Sequence, residues 1–123
     1  MLDFQYVTFF VRDPLASAAF YSALLGAPPV EQSPSFAMLP LRDGVMLGLW
    51  SFATAEPPAS TVPGSSEISF TVASAEEVEA MHAAWVARGL VIAQIPERME
   101  FGHTFVALDP DGHRLRVLAA LAP

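Results

Sequence analysis

YVTFFVRDPLASAAFYSALLG, residues 6–26, and EISFTVASAEEVEAMHAAWVARG, residues 67–89, share one layout, and that duplication decides the fold. Each copy opens on a period-2 pattern, Val7, Phe9 and Val11 in the first and Ile68, Phe70 and Val72 in the second, the spacing of a strand with one apolar face. Each strand then meets a helix-start signal. Asp13-Pro14 supplies it in the first copy, and Ser74 with Glu77 forms a capping box in the second. The first helix carries Ala18, Tyr21, Leu24 and Leu25 on one side and stops at Gly26; the second carries Val78, Met81, Trp85 and Val86 and stops at Gly89.

A hairpin follows each helix. FAMLPLRDGVMLGLW, 36–50, matches HTFVALDPDGHRLRVL, 103–118, when Asp43-Gly44 is laid on Asp111-Gly112. Asp109-Pro110-Asp111-Gly112 has the residues of a type I turn, with Pro second and Gly fourth. Pairing across that turn is expected to set His113 near Leu108 and His103 near Leu118. Between the copies, SFATAEPPASTVPGSS is too rich in Pro, Ser and Ala for a central strand and reads as a linker. The expectation is an α+β fold of two tandem βαβββ units, unit 1 at about 1–51, a linker at about 52–65 and unit 2 at about 66–123. A unit of about 60 residues buries little core alone, so the two are expected to pack together, within one chain or by exchange between two.

Composition narrows the functions. The chain has 123 residues, 53% of them hydrophobic and 15% charged, the balance of a globular protein. It has no cysteine, which excludes disulfides, thiolate nucleophiles and sulfur-rich zinc sites. Its net charge is −7, and its arginines, at 12, 42, 88, 98, 114 and 116, do not cluster into a basic patch, so neither nucleic acid nor an acidic membrane surface is an expected partner. No apolar run is long enough to span a bilayer, and Met1 is followed by Leu2 and Asp3, not by a signal core; the expectation is a soluble, cytoplasmic protein.

Two such units, with Arg12-Asp13-Pro14 at a strand-to-helix junction, FYSALLG at 20–26 and a DPDG hairpin at 109–112, resemble the vicinal-oxygen-chelate superfamily. That superfamily includes glyoxalase I, extradiol dioxygenases, fosfomycin-resistance thiol transferases and bleomycin-resistance proteins. The resemblance covers essentially the whole chain, and the scaffold hosts both metal-dependent enzymes and metal-free binders. It implies curved sheets around a concave pocket, often at a homodimer interface. In the enzymes it implies a divalent metal held by two side chains from the first strands and two from the last strands. Those positions here are Tyr6, Glu67, Gly48 and Arg116. Glu67 alone is an ordinary ligand, while a glycine and an arginine give a cation no donor, so no metal and no cofactor are expected. His82, His103 and His113 do not fall at metal-ligand spacing, and His82 and His113 read as surface or satisfied histidines.

If Val7, Phe9, Val11, Leu47, Leu49, Ile68, Phe70, Val72, Leu115 and Val117 face the helices, the opposite parity faces the cavity. It carries Tyr6, Thr8, Phe10, Met46, Gly48, Trp50, Glu67, Ser69, Thr71, His103, Phe105, Arg114 and Arg116, with Phe101 on a loop at the rim. Flat aromatic faces with isolated polar groups suit a planar organic ligand. Trp50, Phe10 and Phe105 have a second reading, as filler between the halves, and Trp85 belongs to the apolar stripe of its helix. Gly48, a glycine inside a strand, marks a close approach to the backbone, for which a ligand is the candidate. Arg116 and Glu67 are expected to pair where a metal would otherwise sit.

Three functions follow. One is sequestration of a small aromatic compound without a metal, like an antibiotic-resistance protein. The second is a glyoxalase- or dioxygenase-type metalloenzyme built on Glu67 with His103, Tyr6 or water. The third is a regulatory or structural dimer without a ligand. The first is the expectation, with a small aromatic molecule and a second copy of the chain as partners. Its candidate binding residues are Tyr6, Phe10, Met46, Gly48, Trp50, Glu67, Phe101, His103, Phe105 and Arg116.

Overall fold

Residues 1–121 are described by the structure, a computed structural model. The first unit runs β1 (Tyr6–Val11), α1 (Pro14–Leu25), β2 (Glu31–Gln32), β3 (Phe36–Arg42) and β4 (Val45–Ser51). The second repeats it as β5 (Glu67–Thr71), α2 (Ala75–Ala87), β6 (Val91–Met99), β7 (Gly102–Leu108) and β8 (Arg114–Ala120). The sheets have the orders β1-β4-β3-β2 and β5-β8-β7-β6, so the first strand of each unit pairs in parallel with its last strand. The protein is therefore an α+β chain of two βαβββ units, each an open, curved mixed sheet with a helix on one face. It divides into two compact units between Gly64 and Ser65. Residues 52–64 group with the first unit: the Phe52 N–H donates to the Val11 carbonyl at 2.8 Å, and Ala55 is buried.

The helix boundaries follow from local chemistry. The Asp13 side chain accepts from the N–H groups of Leu15 and Ala16, Pro14 occupies the first turn, and Gly26 ends α1 at φ 71°. In α2 the Ser74 hydroxyl accepts from Glu77 N–H at 3.2 Å, while the Glu77 carboxylate reaches back to Ala73 N–H at 2.9 Å. Each core lies between helix and sheet. In the first unit Phe9, Val11, Leu47 and Leu49 close on Ala18 and Tyr21, with the Phe9 and Tyr21 rings 6.4 Å apart. In the second, Leu115 and Val117 are buried with Val78 and Trp85 of α2. Val86 departs from the expected stripe and is half exposed. No helix of the described residues is long and apolar enough to cross a membrane.

The second hairpin corrects the expected pairing. Asp109 N–H donates to the His113 carbonyl, Gly112 N–H to the Asp109 carbonyl, and His113 N–H to the Asp109 carboxylate, with Gly112 at φ 88°. This is a three-residue loop, a type I turn plus one left-handed residue. Leu108 therefore faces Arg114, one residue beyond the expected His113, and His103 faces Ala119. A slip of one residue turns every side chain of β7 to the other face. Phe105 thus sits opposite Val117 on the helix side, fully buried, and is no part of the open face. His103 shares that side, its Nε2 lying 3.8 Å from the Glu79 carboxylate of α2.

Gly102, which opens β7, has φ 149°, and a Cβ there would lie 2.1 Å from the Ala119 carbonyl oxygen. Gly26 has open space around it. Gly102→Ala is therefore expected to destabilise the fold by clearly more than Gly26→Ala, for which left-handed strain alone costs about 1–2 kcal/mol. Urea unfolding of the two variants beside the parent protein measures the difference.

Candidate functional site

The helix-free face of the first sheet is aromatic. Parallel pairing of β1 with β4 sets Tyr6 beside Met46, Thr8 beside Gly48 and Phe10 beside Trp50, all on one face. The Phe10 and Trp50 rings lie 6.3 Å apart at 35°. Sequence reading missed Phe36, which crosses Trp50 edge-on at 6.2 Å and 89°. It reaches this face because the β3–β4 ladder shifts by one residue between Pro40 and Arg42, putting Phe36, Met38 and Pro40 opposite Trp50, Gly48 and Met46. Ala37 and Leu39 take the buried face. The close approach at Gly48 is made by the protein itself: a Cβ there would stand 3.1 Å from the Thr8 hydroxyl and 3.3 Å from the Phe36 ring. Phe36 thus takes the room in which a ligand was expected. Phe10, Met46 and Trp50 remain partly exposed, and Tyr6 is open to solvent.

The corresponding face of the second sheet is charged. Glu67 lies opposite Arg114 in the ladder and diagonal to Arg116. Its Oε1 pairs with Arg114 Nε at 2.9 Å and its Oε2 accepts from Arg116 Nε at 3.1 Å, so the expected pair of Glu67 with Arg116 forms and Arg114 joins it. The Arg116 side chain is only 11% exposed, against 32% for Glu67 and 45% for Arg114. Burial at that level requires partners, and Arg116 has them: Nη1 donates to Gln94 Oε1 at 3.1 Å and to the Thr104 hydroxyl at 3.2 Å. The Thr104 hydroxyl in turn donates to the Val117 carbonyl at 2.8 Å. The Phe101 ring, on the β6–β7 turn, covers the guanidinium at 5.5 Å from its centroid. Gln94 and Thr104 were not singled out in the sequence; only the β7 register brings Thr104 to this face.

The remaining sequence candidates belong elsewhere. Phe105 is stacked edge-on between Trp85 at 5.4 Å and His82 at 5.3 Å, inside the α2 core. His103 lines a shallow cleft with Ser74, Arg98 and Leu121, apart from the Glu67 network. His113 is buried in its turn.

The model of a family described as the Glyoxalase/Bleomycin resistance protein/Dioxygenase superfamily matches residues 3–117. The chain belongs to that superfamily. Among its curated relatives is the phenazine antibiotic resistance protein EhpR of Enterobacter agglomerans, 28% identical over 111 residues, 88% of this chain and 84% of the relative. Among solved structures, protein ATC0852 from Agrobacterium tumefaciens is 46% identical, with a TM-score of 0.88 over 99% of this chain and 100% of its own. A glyoxalase-related enzyme from Fulvimarina pelagi is 25% identical, with a TM-score of 0.80 over 97% of this chain and 88% of its own.

The positions that the resemblance implies for metal ligands carry Tyr6 and Gly48 in the first unit and Glu67 and Arg116 in the second, and the surroundings of each pair do not suit a divalent cation. Gly48 offers no donor, and the space beside it is filled by Phe36. Glu67 has both oxygens engaged by guanidinium groups, and Arg116 repels a cation.

Removing Arg116 strands the acceptors it satisfies, whereas the Arg114 side chain is half exposed and, among the described residues, pairs with Glu67 alone. Arg116→Ala is expected to cost about 1–3 kcal/mol of stability, and Arg114→Ala about 0–1 kcal/mol. Chemical denaturation separates the two, and equal effects would place Arg116 in solvent.

Proposed function

We propose that the protein binds and sequesters a small planar aromatic compound without a metal and without altering it chemically, in the manner of a resistance protein. The observation that carries the reading is the engagement of Glu67 by two arginines, which turns the one ordinary metal ligand of the four positions into part of a salt-bridged surface. Two features support it further. The open face of the first sheet offers the rings of Tyr6, Phe10, Phe36 and Trp50 with Met46 among them, a lining on which a flat ring system stacks with little rearrangement. A relative 28% identical is a phenazine antibiotic resistance protein, and a phenazine is a planar fused-ring heteroaromatic. The reading includes a homodimer acting in the cytoplasm.

The expected result is saturable calorimetric binding of phenazine, weakened by about 1–3 kcal/mol in Trp50→Ala with the melting temperature nearly unchanged. Loss of about 3–5 kcal/mol of stability in that variant would make Trp50 a core residue instead. Metal analysis after incubation with Zn²⁺, Ni²⁺, Mn²⁺ and Fe²⁺ tests the enzymatic alternative: stoichiometric tight binding that is lost in Glu67→Gln would overturn the proposal.

A further inference from the structure

We infer that the helix-free face of the second sheet recognises an anionic oxygen group, a carboxylate or phenolate, on an aromatic ligand, with Arg114 and Arg116 as its donors and the Phe101 ring beside them. For the ligand's aromatic part this rests on the function proposed above. One carboxylate, Glu67, serves two guanidinium groups, and each reaches it through Nε alone. Nη1 of Arg116 is spent on Gln94 and Thr104. Among the described residues, no hydrogen bond engages Nη2 of Arg116 or either terminal nitrogen of Arg114. A guanidinium recognises a carboxylate best by two parallel N–H groups, and these terminal groups keep that capacity.

Charge argues the same way. Two cations contact one anion here, within a chain whose net charge is −7. Glu97 also lies on this face, opposite Thr104, but it holds the Gln94 amide and contacts neither guanidinium. Arg116 is already fixed by Glu67, Gln94 and Thr104 and covered by Phe101, so little side-chain freedom remains to be lost when an anion binds. The same Phe101 ring, 44% exposed, gives the hydrocarbon next to that anion an apolar surface.

The test is calorimetry at low ionic strength with 2-naphthoate, its neutral analogue 2-naphthamide, and the non-aromatic anion cyclohexanecarboxylate. The naphthoate is expected to bind at least about tenfold more tightly than the amide, and Arg114→Gln, a substitution at a half-exposed position, is expected to reduce that preference without lowering the melting temperature. Equal affinity for naphthoate and naphthamide would overturn the inference while leaving aromatic sequestration standing. Cyclohexanecarboxylate binding as tightly as naphthoate, with the same loss in Arg114→Gln, would support the anion site and count against the aromatic reading. A naphthoate preference that survives in both Arg114→Gln and Arg116→Gln would overturn the assignment of these two donors.

Discussion

Parallel pairing of the first strand with the last is the constraint on which each unit depends. A parallel neighbour cannot be reached through a tight turn, so the chain must leave the sheet, cross one face as a helix and come back through two antiparallel strands. That crossover covers one face with α1 or α2 and leaves the other without a helix. The same pairing decides which side chains meet on the uncovered face. β1 beside β4 brings Phe10 to Trp50 and Thr8 to Gly48, and β5 beside β8 brings Glu67 to Arg114 and within reach of Arg116.

The two units use one backbone plan for opposite chemistry. Laying the turn glycines Gly44 and Gly112 on each other puts Gly48 on Arg116, Phe36 on Thr104 and Trp50 on Leu118. Phe36 faces Trp50 and Thr104 faces Leu118, so the ladders agree residue by residue. In the first unit the glycine admits the Phe36 ring and the face becomes an aromatic surface. In the second an arginine fills the equivalent place and bonds to Thr104, so the face becomes a polar network. Phe36 at Gly48 and Arg116 at Thr104 are two solutions to one packing problem.

The Glu67 network also links stability to the proposed recognition. An arginine 11% exposed is tolerated only with its donors matched, and Glu67, Gln94 and Thr104 match those on one side of the fork. The side left over is the one assigned to the proposed anion. The acid that keeps Arg116 in place therefore also holds its remaining N–H groups in position.

The pairing of Arg116 with Glu67 followed from the family resemblance, while the sequence by itself determined the duplication, the helix boundaries at Asp13, Ser74, Gly26 and Gly89, and the turns at Asp43-Gly44 and Asp111-Gly112. Each is either a local signal, in which one residue type is favoured for a stated conformation, or a correspondence between two copies of one pattern. What only the tertiary structure decided was the facing of β3 and β7. FAML at 36–39 and FVAL at 105–108 are apolar at successive positions, and Phe105 and Val106, which point to opposite faces, are both fully buried, so no polar and apolar alternation marks the side that meets the helix. One extra residue in each hairpin, near Leu41 and at Gly112, then sets the parity: it brings Phe36 and Thr104 to the open faces and turns Phe105 and His103 towards α2. Such a residue is invisible in the pattern because its effect is felt through hydrogen bonds to the neighbouring strand, and those exist only once the sheet has formed.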